Sequence, residues 1–263
     1  MIQRTKISMN GNIVIEDKIK NAIKLLKHYE PEERYYFANS GGKDSEVVRD
    51  LLIKSKVKFD AHHNLTTVGT PEQIYHIREN HPETTIDKPL ITMWQLIVDN
   101  VYPPTRIARY CCAELKERGG ENRFKVTGIR KFESNSRAKN RKEIELCYKD
   151  QTKTLNPIYY WSESDVWNYI KENELTYCKL YNCGYSRVGC ILCPFKKPAD
   201  KKRDIKRYPK HYQSYLRAFK KMLEEREKRG LITNNWKTPE EVMEWWINKS
   251  GESIANGQTN ITN

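Results

Sequence analysis

No stretch of this 263-residue chain approaches the length of apolar sequence that a membrane-spanning helix needs, about 18 residues or more. No apolar run of the secretory type opens it either, so a soluble, cytoplasmic protein without a membrane partner is expected. No internal repeat is visible, which leaves out solenoid and propeller architectures. Acidic residues are in the minority: 34 Asp and Glu against 47 Lys and Arg give a formal charge of +13. That excess is more than solubility requires and fits a polyanionic partner, either nucleic acid or a multiply phosphorylated nucleotide, without choosing between them. Seven cysteines, two of them adjacent, do not make a secreted disulfide framework in a chain this long. Metal ligation or redox chemistry is the expected use.

What is present begins with Ser40-Gly41-Gly42-Lys43-Asp44-Ser45. An apolar, aromatic run, Tyr35-Tyr36-Phe37-Ala38, reads as a buried strand before it. Val47, Val48, Leu51 and Leu52 recur at helical spacing after it. Strand, glycine-rich turn and helix is the setting in which a loop can hold phosphate. The glycines turn backbone N–H groups inward, and the helix N-terminus adds donors and a positive dipole end. Ser40, Lys43 and Ser45 supply further donors. Asp44 repels phosphate unless a cation or a capping role occupies it. The segment is not a Walker loop, because Asp44 follows the lysine where that motif needs Ser or Thr.

The remaining pattern alternates strands and helices. A helix is expected over 15–29, a strand over 58–63, a helix from Pro71 to before Pro82, and another over 91–101. Arg123 to Thr127 reads as a strand leading to a turn at Gly128, and Arg130 to Lys142 as a polar, mobile loop. Leu155 to Tyr160 reads as extended, and Ser162-Glu163-Ser164-Asp165 as the capped start of a helix. Such alternation predicts an α/β fold, a parallel sheet covered on both faces, with a ligand at the carboxyl ends of strands near the 40–45 loop. From Lys196 the chain turns lysine-rich and then helical, over about 208–229 and 239–249, with a polar, frayed end. The expected division is therefore a nucleotide-binding domain with a metal centre over 1–195 and a basic helical extension over 196–263.

Cys111-Cys112 and Cys190-Ile191-Leu192-Cys193 are the second strong signal. A Cys-x-x-Cys pair presents two sulfurs to one centre, and a second pair completes four ligands. Gly189 and Pro194 bracket a tight turn. Four thiolates satisfy zinc, and adjacent cysteines fit a four-iron cluster more easily than one tetrahedral ion. Cys147 and Cys178 read as structural.

The loop at 40–45 resembles the pyrophosphate loop shared by N-type ATP pyrophosphatases and phosphoadenylyl-sulfate (PAPS) reductases. Gly128-Ile129-Arg130 through Glu133-Ser134-Asn135-Ser136-Arg137 resembles that family's Gly-Ile-Arg-x-x-Glu-Ser segment. Asn156-Pro157-Ile158 with Trp161 to Trp167 is similar to its helix start, and Thr70-Pro71-Glu72 sits where a Pro-Glu-Thr turn is usual. The resemblance covers roughly residues 33–195. It implies a Rossmann-like, adenine nucleotide alpha hydrolase-like fold and an adenine nucleotide, ATP or PAPS, bound by Ser40, Gly41, Gly42, Lys43, Asp44, Ser45, Gly128, Arg130, Ser134 and Arg137. Lys43, Asp44 and Arg130 would carry the catalysis, with Mg²⁺ on Asp44 if ATP is the substrate. The cysteine pattern resembles that holding a [4Fe–4S] cluster in adenylyl-sulfate reductases, which implies Cys111, Cys112, Cys190 and Cys193 as ligands, with zinc as the alternative. The run from Cys183 to Cys190 also resembles the cluster motif of DNA phosphorothioation sulfurtransferases, which makes Cys183 an alternative ligand.

Two departures stand out. Assimilatory reductases carry a late Glu-Cys-Gly segment whose cysteine attacks sulfur, and this sequence has no cysteine after Cys193. His62-His63-Asn64 replaces the usual acidic strand end. Three readings stay open: ATP-dependent adenylation with sulfur transfer, phosphosulfate reduction with a thiol borrowed from an external thiol or sulfur-donor partner or from Cys147 or Cys178, and a nucleotide-sensing or nucleic-acid-binding accessory subunit without turnover. For the last, Lys196, Lys197, Lys201, Lys202, Arg203, Lys206 and Arg207 would meet phosphates while Tyr208, Tyr212 and Tyr215 stack on bases. The alternative is a solvated helix face.

Overall fold

A computed structural model describes residues 11–146, 152–231 and 236–249. In chain order the elements are α1 (Gly11–His28), β1 (Tyr35–Ala38), α2 (Lys43–Ser55), β2 (Phe59–Asn64), α3 (Pro71–Asn80), β3 (Thr85–Asp87), α4 (Met93–Asp99) and α5 (Tyr110–Leu115). They continue with β4 (Lys125–Val126), α6 (Asn135–Asn140), β5 (Ile144–Leu146), β6 (Lys153–Leu155), α7 (Glu163–Glu172), α8 (Pro198–Arg207), α9 (Pro209–Lys228) and α10 (Pro239–Lys249). Cys147 and the polar end from residue 250 lie outside the described residues.

The chain forms two compact units. The first takes in residues 1–63, 71–87 and 119–188, and the second 64–70, 88–118 and 189–263. The C-terminal helices therefore share a unit with α4, α5 and the Cys190–Cys193 turn.

The first unit holds a six-stranded sheet in the order β3-β2-β1-β4-β6-β5. β1 pairs in parallel with β2 and β4, and β4 with β6, while β5 runs antiparallel to β6. The sheet is thus mostly parallel, as the alternation predicts, with β5 as an antiparallel edge strand. Three residues at Ile144–Leu146 are too few for a periodicity to declare a strand. β1 lies centrally, and Tyr35 and Phe37, two residues apart and so on one face, are buried with Ala22, Leu26, Val47, Val48, Leu51 and Leu52 of α1 and α2. Val166, Tyr169 and Ile170 of α7 close this core.

Three local expectations change. The stretch 130–142 is ordered as a 3₁₀ turn (Lys131–Glu133) followed by α6, because Ser134 Oγ accepts from the Arg137 N–H and caps the helix. Residues 156–161 form turns, not a strand: Tyr159 N donates to the Asn156 carbonyl and Trp161 N to that of Ile158. The lysine-rich run from 198 is α8, opened by a proline in its first turn. By contrast α7 starts as expected, with Ser162 Oγ accepting from Asp165 N at 3.1 Å and the Asp165 carboxylate accepting from Ser162 N at 2.6 Å.

In the second unit Tyr215, Phe219 and Met222 of α9 pack with Met93, Leu96 and Ile97 of α4 and with Val242, Met243 and Trp246 of α10. Trp246 Nε1 donates to the Pro104 carbonyl at 2.7 Å, which satisfies the one polar atom of a fully buried indole.

Candidate functional site

The loop between β1 and α2 is shaped by two glycines that do different work. Gly41 has φ +65°, and a Cβ there would lie 2.9 Å from Ile77 Cδ1 and 3.0 Å from Gln73 Cγ. Gly42 is the N-cap of α2 in extended backbone. The turn is tied down by side-chain oxygens: Gly41 N donates to Asn39 Oδ1 at 3.0 Å, Gly42 N to Ser45 Oγ at 3.1 Å, and Lys43 N to Tyr181 Oη at 3.0 Å. Ser40 Oγ and Ser45 Oγ stand 2.9 Å apart, and the Gln73 amide donates to the Ser40 carbonyl.

The strand after the loop's neighbour brings the second block against it. A Cβ on Gly128, which follows β4, would come within 3.0–3.2 Å of the Asp44 backbone and Cβ, so this approach needs glycine. Arg130 is buried; its Nε donates to Asp44 Oδ1 at 2.5 Å and its guanidinium also reaches the Trp161 carbonyl at 3.5 Å. Lys43 Nζ stands 3.6 Å from Asp44 Oδ2 and 3.6 Å from Glu163 Oε1. It lies over the Tyr181 ring at 5.4 Å. The fold thus gathers Ser40, Gly41, Gly42, Lys43, Asp44, Ser45, Gly128 and Arg130 around one carboxylate.

Ser134 serves here as the cap of α6. Arg137 pairs with Glu133 one turn back. Burial, with repulsion from Arg187, Arg141 and Arg130, lowers the Arg137 guanidinium to about 10, while Asp44 works the other way. Four arginines therefore share a region with Asp44, in which Arg137 also has Glu133 as its direct partner. Tyr181, Gln73, Arg141 and Arg187 were not singled out for this region by the sequence, although Arg187 falls within the Cys183–Cys190 run. Tyr181, Gln73 and Arg187 arrive from distant chain segments that no local spacing marks, whereas Arg141 lies one helical turn after Arg137.

The second unit holds four of the cysteines. Cys111 and Cys112 sit in the first turn of α5, and Cys190 is buried beside an isolated bridge to Gly69. The Cys190–Cys193 turn is built by named contacts. Ile191 N donates to the Val68 carbonyl at 2.7 Å and Leu192 N to Asp204 Oδ2 at 2.8 Å, while Tyr215 Oη donates to the Ile191 carbonyl at 3.1 Å. Leu192 takes φ +58°, an unusual value for a leucine that these contacts enforce. The charges of Cys112, Cys190 and Cys193 all act on Cys111, which its hydrogen bond with Cys112 and its burial push far up. The bond with Cys111 pulls the Cys112 thiol down to about 5 against the effect of burial, helped by Lys116 and Arg109. Cys178 is buried in the first unit, consistent with a structural role, whereas Cys183 is exposed in that unit. Four thiols that act on one another beside a lysine and an arginine suit a cluster better than a single ion, since among the described residues no three of their sulfurs lie within 4.8 Å of one another.

The basic tail is used in part for packing. Lys201 is buried and its Nζ donates to the Trp246 and Ile247 carbonyls at 2.9 and 3.1 Å; Lys196 Nζ pairs with the buried Asp204 at 2.6 Å. Tyr208 and Tyr215 belong to the core, so neither offers a ring face to a base. Lys197, Lys202, Arg203, Lys206 and Arg207 remain exposed. Among the described residues no helix is long and apolar enough to cross a membrane.

Comparison with known proteins agrees with this geometry. An adenosine 5′-phosphosulfate reductase of Bacillus subtilis is 28% identical over 197 residues, covering 68% of this chain and 82% of that protein. An uncharacterized protein of Methanocaldococcus jannaschii is 26% identical over 232 residues, covering 80% of this chain. The chain spans about half the length of that protein and of a second one from the same organism, 47% and 54%. Among solved structures, the FMN adenylyltransferase of Candida glabrata superposes with a TM-score of 0.51 at 14% identity, over 72% of this chain and 69% of that one, a likeness of fold. The family model for the phosphoadenosine phosphosulfate reductase domain matches residues 34–196, more than half of the sequence and the whole span of both blocks around Asp44, and the chain belongs to that family.

Proposed function

We propose that this protein binds a sulfated adenine nucleotide at the 40–45 loop and reduces its sulfate group, with a thiolate-bound centre in the second unit. The observation that carries the reading is the charge balance around Asp44. Its carboxylate is answered by Arg130 at 2.5 Å and Lys43 at 3.6 Å. Beyond it Arg187 adds positive charge near Arg137 and Arg141, whose own partners are Glu133 and Glu145, and an anion of several oxygens would draw on this arginine cluster.

In this reading the loop's N–H groups exchange their Ser45, Asn39 and Tyr181 partners for nucleotide oxygens. Lys43 and Arg130 hold the bridging phosphate. An external thiol, the partner expected in the absence of a cysteine after Cys193 in this sequence, attacks sulfur. The sulfur–oxygen bond breaks and the nucleotide leaves as a phosphate, whose growing negative charge Arg130 and Arg137 stabilise. A second thiol then releases sulfite as the pair is oxidised to a disulfide, which balances the two electrons. Cys111, Cys112, Cys190 and Cys193 would hold a [4Fe–4S] cluster or zinc. Such a centre, when bound, would supply a compact charge that orders the Cys190–Cys193 turn.

Calorimetric titration of anaerobically purified protein with PAPS, adenylyl sulfate and ATP, each with and without Mg²⁺, tests this. Tight binding of a sulfated nucleotide without Mg²⁺, lost in Arg130→Met, is expected. Mg²⁺-dependent ATP binding that is abolished by Asp44→Ala, with indifference to both sulfated nucleotides, would replace reduction by adenylation and sulfur transfer.

A further inference from the structure

Three side chains with no part in the nucleotide or thiol sites meet inside the first unit. Glu46 lies in the first turn of α2, His76 on α3, and His81 just past its end; they are 4%, 7% and 3% exposed. Glu46 Oε1 is 3.0 Å from His76 Nε2, and Oε2 is 2.6 Å from His81 Nε2. The two rings stand edge to face at 5.4 Å. One ligand atom from each residue lies within 4.8 Å of the others.

Hydrogen bonding alone leaves this cluster incomplete. Glu46 sets a carboxyl group between two imidazoles in the interior of the unit. His81 Nδ1 is buried without a hydrogen-bond partner. The carboxylate oxygens and both Nε2 atoms converge on one buried point, the arrangement a cation would occupy in place of the two hydrogen bonds. His76 Nδ1 faces the Asn80 side chain at 3.2 Å, the position from which an outer partner orients a ligating imidazole.

We propose that Glu46, His76 and His81 form a site for a divalent transition metal of the zinc class. Two imidazoles and a carboxylate are the donor set such ions select, whereas Mg²⁺ prefers oxygen ligands and retained waters. The site is separate from any ion on a bound nucleotide. Asp44 and Glu46 are two positions apart on α2, roughly 200° around the helix, and so point to opposite sides. A metal here joins α2 to α3, and α3 also supplies Gln73, bonded to the Ser40 carbonyl, and Ile77, packed under Gly41. The ion would therefore stiffen the floor of the loop. The proposal holds whichever nucleotide the loop takes.

The test is a Co²⁺ titration of the anaerobic protein with its thiol centre intact. Uptake of one further equivalent is expected, with the weak visible bands of nitrogen and oxygen ligation and no thiolate charge-transfer band; Zn²⁺ should displace it. Glu46→Gln and His81→Gln should each weaken binding by at least about 100-fold, since changing even an outer-shell partner costs 10–100-fold. If those variants misfold, ring-nitrogen spectra of the unsubstituted, ¹⁵N-histidine-labelled protein decide the matter. Zn²⁺ should then move two of the 6 histidines. No uptake, uptake with a thiolate band, uptake unchanged in both folded variants, or six unmoved histidines would each overturn the site.

Discussion

Replacing Gly41 by alanine tests the geometry of the loop with two separable costs. At φ +65° the added Cβ meets the backbone penalty of the left-handed region, about 1–2 kcal/mol. The same Cβ would also press on Ile77 at 2.9 Å and Gln73 at 3.0 Å, in a core where overpacking costs typically 1–3 kcal/mol. Together these give a loss of about 2–5 kcal/mol, or a Tm lower by roughly 4–20 °C for a domain of this size. Ile77→Val removes the Cδ1 methyl, itself worth about 0.5–1.5 kcal/mol. In the double variant the packing cost falls while the backbone cost stays, so the two changes together should destabilise by about 1 kcal/mol less than their sum. Urea unfolding of the four proteins of this cycle, with nucleotide calorimetry on each, measures both terms. Gly41→Ala with unchanged stability and unchanged nucleotide affinity would refute the account of the loop, and strict additivity would refute the contact with Ile77.

Other consequences can be checked alongside. Arg130→Met removes the partner of Asp44 and a buried guanidinium, and denaturant unfolding should show a loss of about 3 kcal/mol together with lost nucleotide binding. The Asp165 carboxyl is raised by burial, yet Lys18 and Ser162 lower it further, so its folded value lies below its unfolded one. Its contribution is present above the ordinary carboxylate range and is lost as pH falls through the depressed value. Asp165→Asn should therefore lower Tm by a few degrees at neutral pH and flatten the acid limb of a Tm–pH profile. The iron, or the zinc equivalent held by thiols, should be lost in Cys111→Ser and Cys190→Ser and persist in Cys183→Ser, with at most the one equivalent of the histidine site remaining, as read by metal analysis of anaerobic protein. Polynucleotide binding should be weak and indifferent to salt, because two of the three tail tyrosines and Lys201 are spent on the core; a steep salt dependence lost with Lys197, Lys202 and Lys206 neutralised would reverse this.

The sequence by itself determined the parts whose information is local. The Ser40–Ser45 turn between an apolar run and a helical repeat, the Ser162 cap of α7 and the proline start of α3 are all written in neighbouring residues. The structure shows each in place. The cysteine spacing likewise predicted that two separated pairs would share one region, and both pairs lie in the second unit. What only the tertiary structure decided depends on residues far apart in sequence. Tyr181 binds Lys43 N from 138 positions away, and Asp204 and Tyr215 shape the Cys190–Cys193 turn from α8 and α9. The lysines of α8 looked like a surface because charge reads as exposure. Lys201 is nonetheless buried, since the end of α10 presents carbonyls that its ammonium satisfies. Glu46, His76 and His81 carried no motif at all: a carboxylate and two imidazoles become a site only when α2 and α3 pack together, and packing is the step that spacing along a chain does not encode.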